Sequence, residues 1–285
     1  MQDKQKLVIM TAADIKAFQE YLFEREYSMA TVRKYVTDMN TFFRFLQGNQ
    51  EVDKARLLAY KCWLLERYSI ASVNSMLAAL NQMLVFCGAA DLRLKRVKIQ
   101  RQNFADNGKE MTKEEYRRLI DAALQNGKSQ LALIIETICA TGIRISELTY
   151  FTVEQLRRGN VKVRNKGKTR IILIPDKLRL KLLYYIQRRE IQSGCIFVSR
   201  NGRPKDRSNI WSEMKALHTR ANVSRQKIFP HNLRHLFARV YYGRTKDMSG
   251  LADILGHSSL ETTRIYTASS GNIYQERIER LGLVT

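Results

Sequence analysis

The fold is decided by residues 96–120, whose sequence is RVKIQRQNFADNGKEMTKEEYRRLI. The part up to residue 110 is basic and polar, and it shows neither helical nor strand periodicity. It therefore predicts an interdomain linker over 96–110. Thr112 and Glu115 then have the spacing of a capping box ahead of an apolar pair, which indicates that a new helix and a new domain begin there.

Residues 1–95, on the N-terminal side of this linker, carry helical patterns. Apolar side chains recur at helical spacing in four stretches, and Thr11 and Ser28 precede the first two as candidate caps. No alternating pattern typical of strands interrupts these stretches. The first domain is therefore expected to be a small four-helix unit.

Residues 111–285, on the C-terminal side, start with helical patterns, and short patterns typical of strands follow. Residues 161–164 and 170–174 are short runs with β-branched side chains that flank the basic loop NKGKT. This arrangement predicts a β-hairpin with a basic tip, and residues 196–198 are a further candidate strand. The expected fold class is mainly α with a small β-hairpin: an N-terminal helical domain followed by an α+β domain over 111–285.

The charge of the chain indicates a polyanionic partner. There are 49 Lys and Arg residues against 27 Asp and Glu residues, which gives a formal net charge of +22. An anionic membrane is disfavoured, because the sequence has no apolar run of about 18 residues, no signal peptide and no lipidation motif. Nucleic acid is the favoured partner, and a generally basic protein is the alternative.

The cysteines and histidines do not predict a metal site. The four cysteines lack CxxC spacing, and the four histidines form no pattern of metal-ligand spacing. We expect the cysteines to be reduced and buried, and we expect no bound metal. The cysteines are at positions 62, 87, 139 and 195.

Several residues of the second domain are candidates for a site that binds a phosphate. Taken singly, each is more simply explained as a surface charge, a core histidine or a packing tyrosine. If residues 231–240 are helical, however, His231 and Arg234 lie on one face, and with Arg144 they would suit a phosphate. Spacing alone does not bring these segments together. The candidates are Arg144, Lys166, His231, Arg234, His257 and Tyr266.

Four motifs in the second domain resemble those of the tyrosine recombinase (phage integrase) family, and they occur in that family's order. They are TGIRISEL at 141–148, NKGK at 165–168, PHNLRHLFA at 230–238 and LGHSSLETTRIYT at 255–267. The resemblance covers most of residues 111–270. The helices of the first domain resemble the family's core-binding domain less specifically, and the short chain is similar to Xer-type or simple element-borne enzymes.

The resemblance implies an enzyme that cuts and rejoins DNA through a 3′-phosphotyrosine on Tyr266. It implies that Arg144 and Arg234 clamp the scissile phosphate and that His257 supports it. Planar guanidinium groups can bind phosphate oxygens bidentately and would replace the metal ions of other phosphoryl-transfer enzymes. Glu147 matches an acidic supporting position.

The resemblance also implies two proton-transfer residues and the absence of a cofactor. His231 would accept the proton of the tyrosine, because an unperturbed phenol with a pKa of about 10 is a poor nucleophile at neutral pH. Lys166 would protonate the leaving 5′ oxygen, with Lys168 as the alternative because side chains alternate along a hairpin. The covalent intermediate conserves the energy of the broken bond, so no ATP is needed.

The family's partners are a double-stranded DNA recombination site and other protomers. The resemblance implies a homo-tetramer on two DNA sites that acts through a Holliday junction, or a tetramer with a second recombinase. It places such an enzyme in the cytoplasm, on the nucleoid. Residues 272–283 would form a short amphipathic helix that docks on a neighbouring protomer or folds back on its own domain.

In the first domain, four polar residues are candidates for contact with DNA grooves or phosphates. They are Arg33, Lys34, Asn40 and Asn74. The simpler interpretation is that these residues lie on an exposed helix face and contact only solvent.

Two other functions are alternatives to recombination: a type IB topoisomerase-like nicking-closing enzyme, and a non-catalytic DNA-binding regulator of the same fold.

Overall fold

The structure of the protein is a computed structural model, and it divides into two compact units, residues 1–101 and 102–285. The described residues are 7–98, 108, 110–165, 168–257, 259–264, 266 and 279–281. Most of the linker expected over 96–110 lies outside them, so the linker stays a prediction, as do the exact domain limits. The expected fold class, helices with a small hairpin, is confirmed.

The first unit contains the four expected helices and a single 3-10 turn in its described part. Their bounds are α1 Asp14–Glu24, α2 Met29–Leu46, α3 Lys54–Arg67, α4 Ile70–Phe86 and the turn Ala90–Leu92. The Ser28 hydroxyl accepts a hydrogen bond from the Thr31 backbone N–H at 3.3 Å, so the predicted cap of α2 is confirmed. Apolar faces of the four helices form one core.

Two details of the first unit differ from the prediction. Strands β1 Val8–Ile9 and β2 Glu51–Val52 pair antiparallel, whereas no strand was expected. Helix α1 begins at Asp14, and Thr11 does not cap it. Instead, the backbone N–H and the hydroxyl of Thr11 donate to the Asp14 carboxylate at 2.7 and 3.0 Å.

The described part of the second unit contains helices and one hairpin. Its helices are α5 Lys113–Gln125, α6 Ser129–Thr141, α7 Val153–Arg157, α8 Asp176–Arg188, α9 Arg207–Lys215, α10 His218–Ala221, α11 Pro230–Thr245, α12 Met248–Leu255 and α13 Leu260–Arg264, with a 3-10 segment at Ile145–Tyr150. The predicted capping box at the start of α5 is confirmed: Thr112 and Glu115 each accept the other's backbone N–H, at 3.1 and 2.8 Å.

Helix α6 is the centre of the second unit, because it is apolar around most of its circumference and packs against α5, α8 and α11. It ends at Gly142, whose φ of +65° is left-handed. A Cβ at Gly142 would lie 2.5 Å from Phe237 Cδ1 on α11. Glycine therefore lets the chain leave α6 in contact with α11, and this brings Arg144 close to Arg234.

The hairpin consists of β3 Val161–Asn165 and β4 Lys168–Ile172, which pair antiparallel with Asn165 opposite Lys168. Both strands reach closer to the turn than predicted, and β4 ends before residue 174. Residues 196–198 form no strand. Val198 forms an isolated bridge with Pro204, and the pairing does not extend to Ile196, whose backbone N–H donates to the Phe151 carbonyl at 3.0 Å.

The four cysteines differ in their exposure to solvent. The four cysteines are free, but Cys62 is exposed and the other three are half-buried, so the prediction that all four are buried was wrong.

Within the described residues, no helix combines the length and the apolar character that crossing a membrane requires.

Candidate active site

The segment after α6 holds Arg144 against a buried carboxylate. The Arg144 backbone N–H donates to Glu147 Oε2 at 2.8 Å, and its Nη1 donates to Glu147 Oε1 at 3.2 Å. The Glu147 side chain is only 2% exposed, whereas that of Arg144 is 36% exposed. Glu147 thus fixes the Arg144 guanidinium while one side of it remains open to a ligand.

Arg170, on β4, is a second arginine on the same carboxylate. Its Nη2 donates to Glu147 Oε2 at 2.6 Å, and its Nη1 donates to the Ile254 carbonyl near the end of α12. Arg170 is not among the candidates predicted from the sequence, because no sequence spacing connects β4 with Glu147 or α12.

Arg234, in the first turns of α11, is only 1% exposed and lies between the ends of α6 and α12. Its Nη1 donates to the Gly142 carbonyl at 2.6 Å, and its Nη2 donates to the Leu255 carbonyl at 2.8 Å. The carbonyl ends of helices carry partial negative charge and stabilise this cation. Burial, and secondly the charge of Arg144, lower the pKa of Arg234 to about 10, so it remains protonated at neutral pH.

His257, just after α12, is held between Arg234 and α13. Its Nε2 lies 2.9 Å from Arg234 Nη2, and its Nδ1 lies 2.9 Å from the Thr263 hydroxyl. Because arginine only donates, His257 Nε2 accepts and Nδ1 carries the proton. Burial lowers the pKa of His257 to about 4, with further contributions from Arg234, Arg144 and Arg170, so the ring is neutral at pH 7.

Tyr266 is 4% exposed and packs against Ala238, Leu251 and Leu255. Its ring is roughly parallel to that of His257, with the centroids 5.9 Å apart. Electrostatic interaction with the nearby Tyr266 hydroxyl also partly opposes the lowering of the Arg234 pKa. The structure therefore brings Tyr266, Arg234 and His257 together in one pocket.

The two histidines of α11 are neighbours of this pocket. His231 is exposed, and its ring lies 4.5 Å from that of His235. The pKa of His231 is lowered because neighbouring atoms exclude water from part of the ring, and because Arg234 and Arg144 are close. A neutral His231 at pH 7 has the protonation state that a proton acceptor needs.

His235 is a residue that the sequence analysis missed. Its ring meets that of Tyr266 edge to face, with the centroids 4.7 Å apart and an interplanar angle of 88°. Its buried Nε2 has no hydrogen-bond partner among the described residues. Burial, followed by the charges of His231, Arg239 and Arg234, lowers its pKa to about 4. The spacing of four residues from His231 on a predicted helix would have placed it beside the site.

The roles expected for Lys166 and Lys168 stay predictions. Lys166 lies outside the described residues, and for Lys168 the structure gives only the backbone pairing with Asn165. Which of Lys166 and Lys168 faces the phosphate therefore remains a matter of expectation. The expected C-terminal helix over 272–283 also lies almost entirely outside the described residues.

The four DNA-contact candidates of the first unit differ in how their side chains are engaged. Arg33 and Asn40 are exposed on α2. Lys34 is also exposed, but its Nζ donates to Asp38 Oδ2 at 2.5 Å. The Asn74 side chain donates to the Val97 carbonyl at 3.0 Å and accepts the Val97 N–H at 2.8 Å. Asn74 thus fixes the chain that follows the 3-10 turn. Contact of these four residues with DNA stays a prediction.

The neutral histidines lead to an expected dependence of stability on pH. The pKa of His235 and His257 is about 4 in the folded protein against an ordinary value of 6.5. The unfolded chain therefore takes up protons between these values that the folded chain does not. We expect the free energy of unfolding to fall as the pH drops from about 6.5 to about 4. Full shifts of this size would correspond to about 3 kcal/mol per histidine, and because both rings are partly exposed to solvent we expect about 1 kcal/mol each.

Urea unfolding at several pH values in this range measures the effect. The His235→Gln variant should lose less stability than wild type over the same range, since glutamine takes up no proton. Carboxylates titrate in both proteins, so the difference between the two slopes isolates the histidine. Identical slopes would show that His235 is not held neutral.

The chain matches known protein families over most of its length. A family model described as "Phage integrase family" matches residues 109–272, and one described as "Phage integrase, N-terminal SAM-like domain" matches residues 15–89. The chain is similar to the tyrosine recombinase XerA of Pyrococcus furiosus. The two are 30% identical over 279 residues, which cover 95% of this chain and 94% of that protein.

Two solved structures have a similar fold. One is the XerH site-specific recombinase bound to difH substrate in a pre-cleavage complex, with a TM-score of 0.70 and 18% identity, covering 96% of this chain and 85% of that one. The other is a lambda integrase tetramer bound to a Holliday junction, with a TM-score of 0.68 and 18% identity, covering 93% of this chain and 78% of that one. At these identities, the likeness is one of fold.

Proposed function

This chain belongs to the phage integrase family of tyrosine recombinases, and we propose that it is a site-specific recombinase that cleaves DNA strands and rejoins them to new partners. The observation that carries the proposal is the pocket in which Tyr266 lies beside Arg234 and His257. A phenol next to a buried guanidinium is suited to attack a phosphate that the same cation attracts.

Arginines would bind the scissile phosphate. Arg144 presents a partly exposed guanidinium that Glu147 holds in place. Arg234 adds a buried positive charge, and its Nε has no hydrogen-bond partner among the described residues. As Tyr266 attacks, negative charge grows on the non-bridging oxygens, and these fixed cations stabilise it in a site of low dielectric constant. This chemistry needs no metal ion.

Histidines would orient the pocket and accept the proton of the nucleophile. His231, exposed and with a lowered pKa, is the proposed acceptor of the Tyr266 proton. His257 is neutral and accepts from Arg234, so we infer that it orients that guanidinium. His235 is held edge-on against the tyrosine ring and would limit its rotation. The contacts of His257 and His235 support their roles, and the lowered pKa of His231 supports its role.

Bond exchange would then proceed without an external energy source. The Tyr266 oxygen bonds to phosphorus as the 5′ oxygen of the DNA leaves and takes a proton, for which Lys166 at the hairpin tip is the proposed donor. The phosphodiester energy is retained in the 3′-phosphotyrosine. A 5′ hydroxyl from another strand attacks this bond in the reverse reaction, so no ATP is consumed.

The proposed partners are duplex DNA and further copies of the chain. The net charge of +22 favours phosphate neutralisation as the main source of affinity. Four protomers on two sites would exchange one pair of strands and then the other through a Holliday junction, in the cytoplasm and on the nucleoid. A hetero-tetramer with a second recombinase is the alternative assembly.

A recombination assay distinguishes this function from the topoisomerase-like one. The binding site is first selected by the protein from a library of random duplexes and is then placed in a supercoiled plasmid, in one copy or in two. We expect recombinant circles, or an inverted segment, only from the two-site plasmid, with EDTA present and ATP absent. Relaxation without recombinants from either plasmid would favour a nicking-closing enzyme.

A DNA-binding regulator would give a third outcome, in which the selected duplex is bound and neither plasmid changes. Affinity measured at several salt concentrations on the same duplex separates this outcome from a failure to bind. We expect log Kd to rise steeply with log salt concentration, since about one counterion is released for each neutralised phosphate. A plasmid that is bound but unchanged would contradict the proposed function.

A further inference from the structure

Arg170 joins two parts of the candidate site that are far apart in the sequence. From β4, its Nη2 donates to Glu147 Oε2 at 2.6 Å, and its Nη1 donates to the Ile254 carbonyl near the end of α12. Its side chain is only 17% exposed. Because a guanidinium group is planar and rigid, these two bonds fix the distance between the segment that follows α6 and the end of α12.

Arg234 joins the same two parts of the second unit. Its Nη1 donates to the Gly142 carbonyl at 2.6 Å, and its Nη2 donates to the Leu255 carbonyl at 2.8 Å. Leu255 directly follows Ile254, so Arg234 and Arg170 attach to neighbouring residues of α12. The end of α12 is therefore held to the segment after α6 by two arginines.

Arg144 lies between the two points of this segment that the arginines reach. Gly142 precedes it and Glu147 follows it in the sequence. The Glu147 carboxylate, which is 2% exposed, also accepts from Arg144 Nη1 at 3.2 Å. With Arg170 in place, the chain is attached to the end of α12 on both sides of Arg144. The position of Arg144 relative to Arg234 is then determined from both sides.

The backbone near Arg170 leaves little room for a shift. Gly256, with φ +65°, lies so close that an added Cβ would be 2.6 Å from Arg170 Cδ. Gly256 also separates Leu255, which accepts from Arg234, from His257. The aliphatic part of Arg170 thus packs against the turn that carries the groups around Arg234.

From this arrangement we propose that Arg170 is a positioning residue for the phosphate site. It sets the separation of Arg144 and Arg234, so that the two guanidinium groups meet the non-bridging oxygens of the same phosphate. Arg170 acts through Glu147 and the end of α12, and the role requires no contact between Arg170 and DNA. This inference rests on the proposed recombinase function and names a further residue on which its phosphate site depends.

The role is measured as the rate of adduct formation at saturating DNA, together with Kd. The substrate is a nicked duplex that carries the selected site, so that the cleaved end diffuses away and the adduct is trapped. We expect Arg170→Gln to react about 100-fold more slowly than wild type, because a misplacement of about 1 Å can reduce the rate this much. Its Kd should stay within about threefold of wild type, since phosphates along the whole duplex supply the affinity.

Arg170→Lys separates the position of the side chain from its charge. A positive charge near the phosphate favours cleavage by itself, and this substitution keeps the charge. An ammonium group cannot hold Glu147 and the Ile254 carbonyl in the fixed geometry of a guanidinium group, so we expect a rate at least about tenfold below wild type. A rate within about threefold of wild type would show that the charge alone is sufficient, and it would overturn the inference.

A double-mutant cycle with Arg144→Lys tests whether Arg170 acts through Arg144. Arg144→Lys keeps a cation beside Glu147 but removes the planar group that would bind two phosphate oxygens. If Arg170 positions that group, adding Arg170→Gln to Arg144→Lys should lower the rate by no more than about threefold further. Independent contributions would multiply and give a further loss of about 100-fold, which would contradict the positioning role.

Arg188→Gln, at an exposed arginine of α8, is the matched control and should equal wild type in both rate and Kd. No loss of rate in Arg170→Gln, or a loss confined to Kd, would also overturn the inference. If Arg170→Gln does not fold, as judged by thermal unfolding, Arg170→Lys replaces it in the cycle under the same criterion. Wild-type protein that binds the duplex and forms no adduct would instead remove the proposed function, and the inference with it.

Discussion

Replacing Tyr266 with phenylalanine is expected to abolish covalent attachment to DNA, with a loss of at least about ten-thousandfold in rate. The substitution removes only the nucleophilic oxygen. The ring contacts with His235 and His257 persist, so fold and DNA affinity should be kept. The measurement is the rate of adduct formation on the nicked selected duplex, read on a denaturing gel.

Tyr242→Phe is the matched control for this experiment. Tyr242 lies on α11 and packs against the same small cluster as Tyr266. It lies outside the proposed chemistry, so Tyr242→Phe should form the adduct at the wild-type rate. Adduct formation by Tyr266→Phe at a comparable rate would mean that another residue is the nucleophile.

Replacing Arg144 with alanine is expected to have the second largest effect, a loss of about a thousandfold in cleavage rate at saturating DNA. Arg144 is the partly exposed arginine of the pocket, and its loss removes a cation that stabilises the charge of the transition state. Arg170 remains on Glu147, so the carboxylate keeps one partner and the unit should fold. Arg144→Lys should recover only a small part of the rate, because an ammonium cannot bind two oxygens in one plane.

Single-turnover cleavage on the nicked duplex, together with Kd for the same duplex, measures this loss. Arg157→Ala, at an exposed arginine of α7, is the matched control and should cleave at the wild-type rate. A hundredfold weaker Kd with an unchanged rate at saturation would assign Arg144 to ground-state binding. That result would contradict its role at the transition state.

Much of the fold could be predicted because it rests on local patterns. The long helices repeat apolar residues at helical spacing, and the caps at Ser28 and Thr112 are side-chain effects within three residues. The pair formed by β1 and β2 could not be predicted, because a two-residue strand is too short to show alternation. The family resemblance carried by the four motifs is confirmed by the matches along the chain.

The site was predictable only in part, for a physical reason. The motifs named Arg144, Arg234 and Tyr266, and the structure brings the elements that carry them together. Arg170 and His235 were not predicted from the sequence, because their positions at the site depend on tertiary contacts. Arg170 contacts Glu147 and α12, and His235 contacts the Tyr266 ring. Likewise, the neutral state of His257 follows from burial beside arginines, which no spacing along the chain reveals.

The central claim is that Tyr266 becomes joined to a 3′ phosphate, and peptide mapping of the trapped adduct tests it most directly. The wild-type adduct on the nicked duplex is digested with protease and nuclease, and the remaining nucleotide-linked peptide is sequenced by mass spectrometry. We predict one modified peptide, with the nucleotide on Tyr266 through its 3′ phosphate. A link at another residue, or through a 5′ phosphate, would contradict the mechanism.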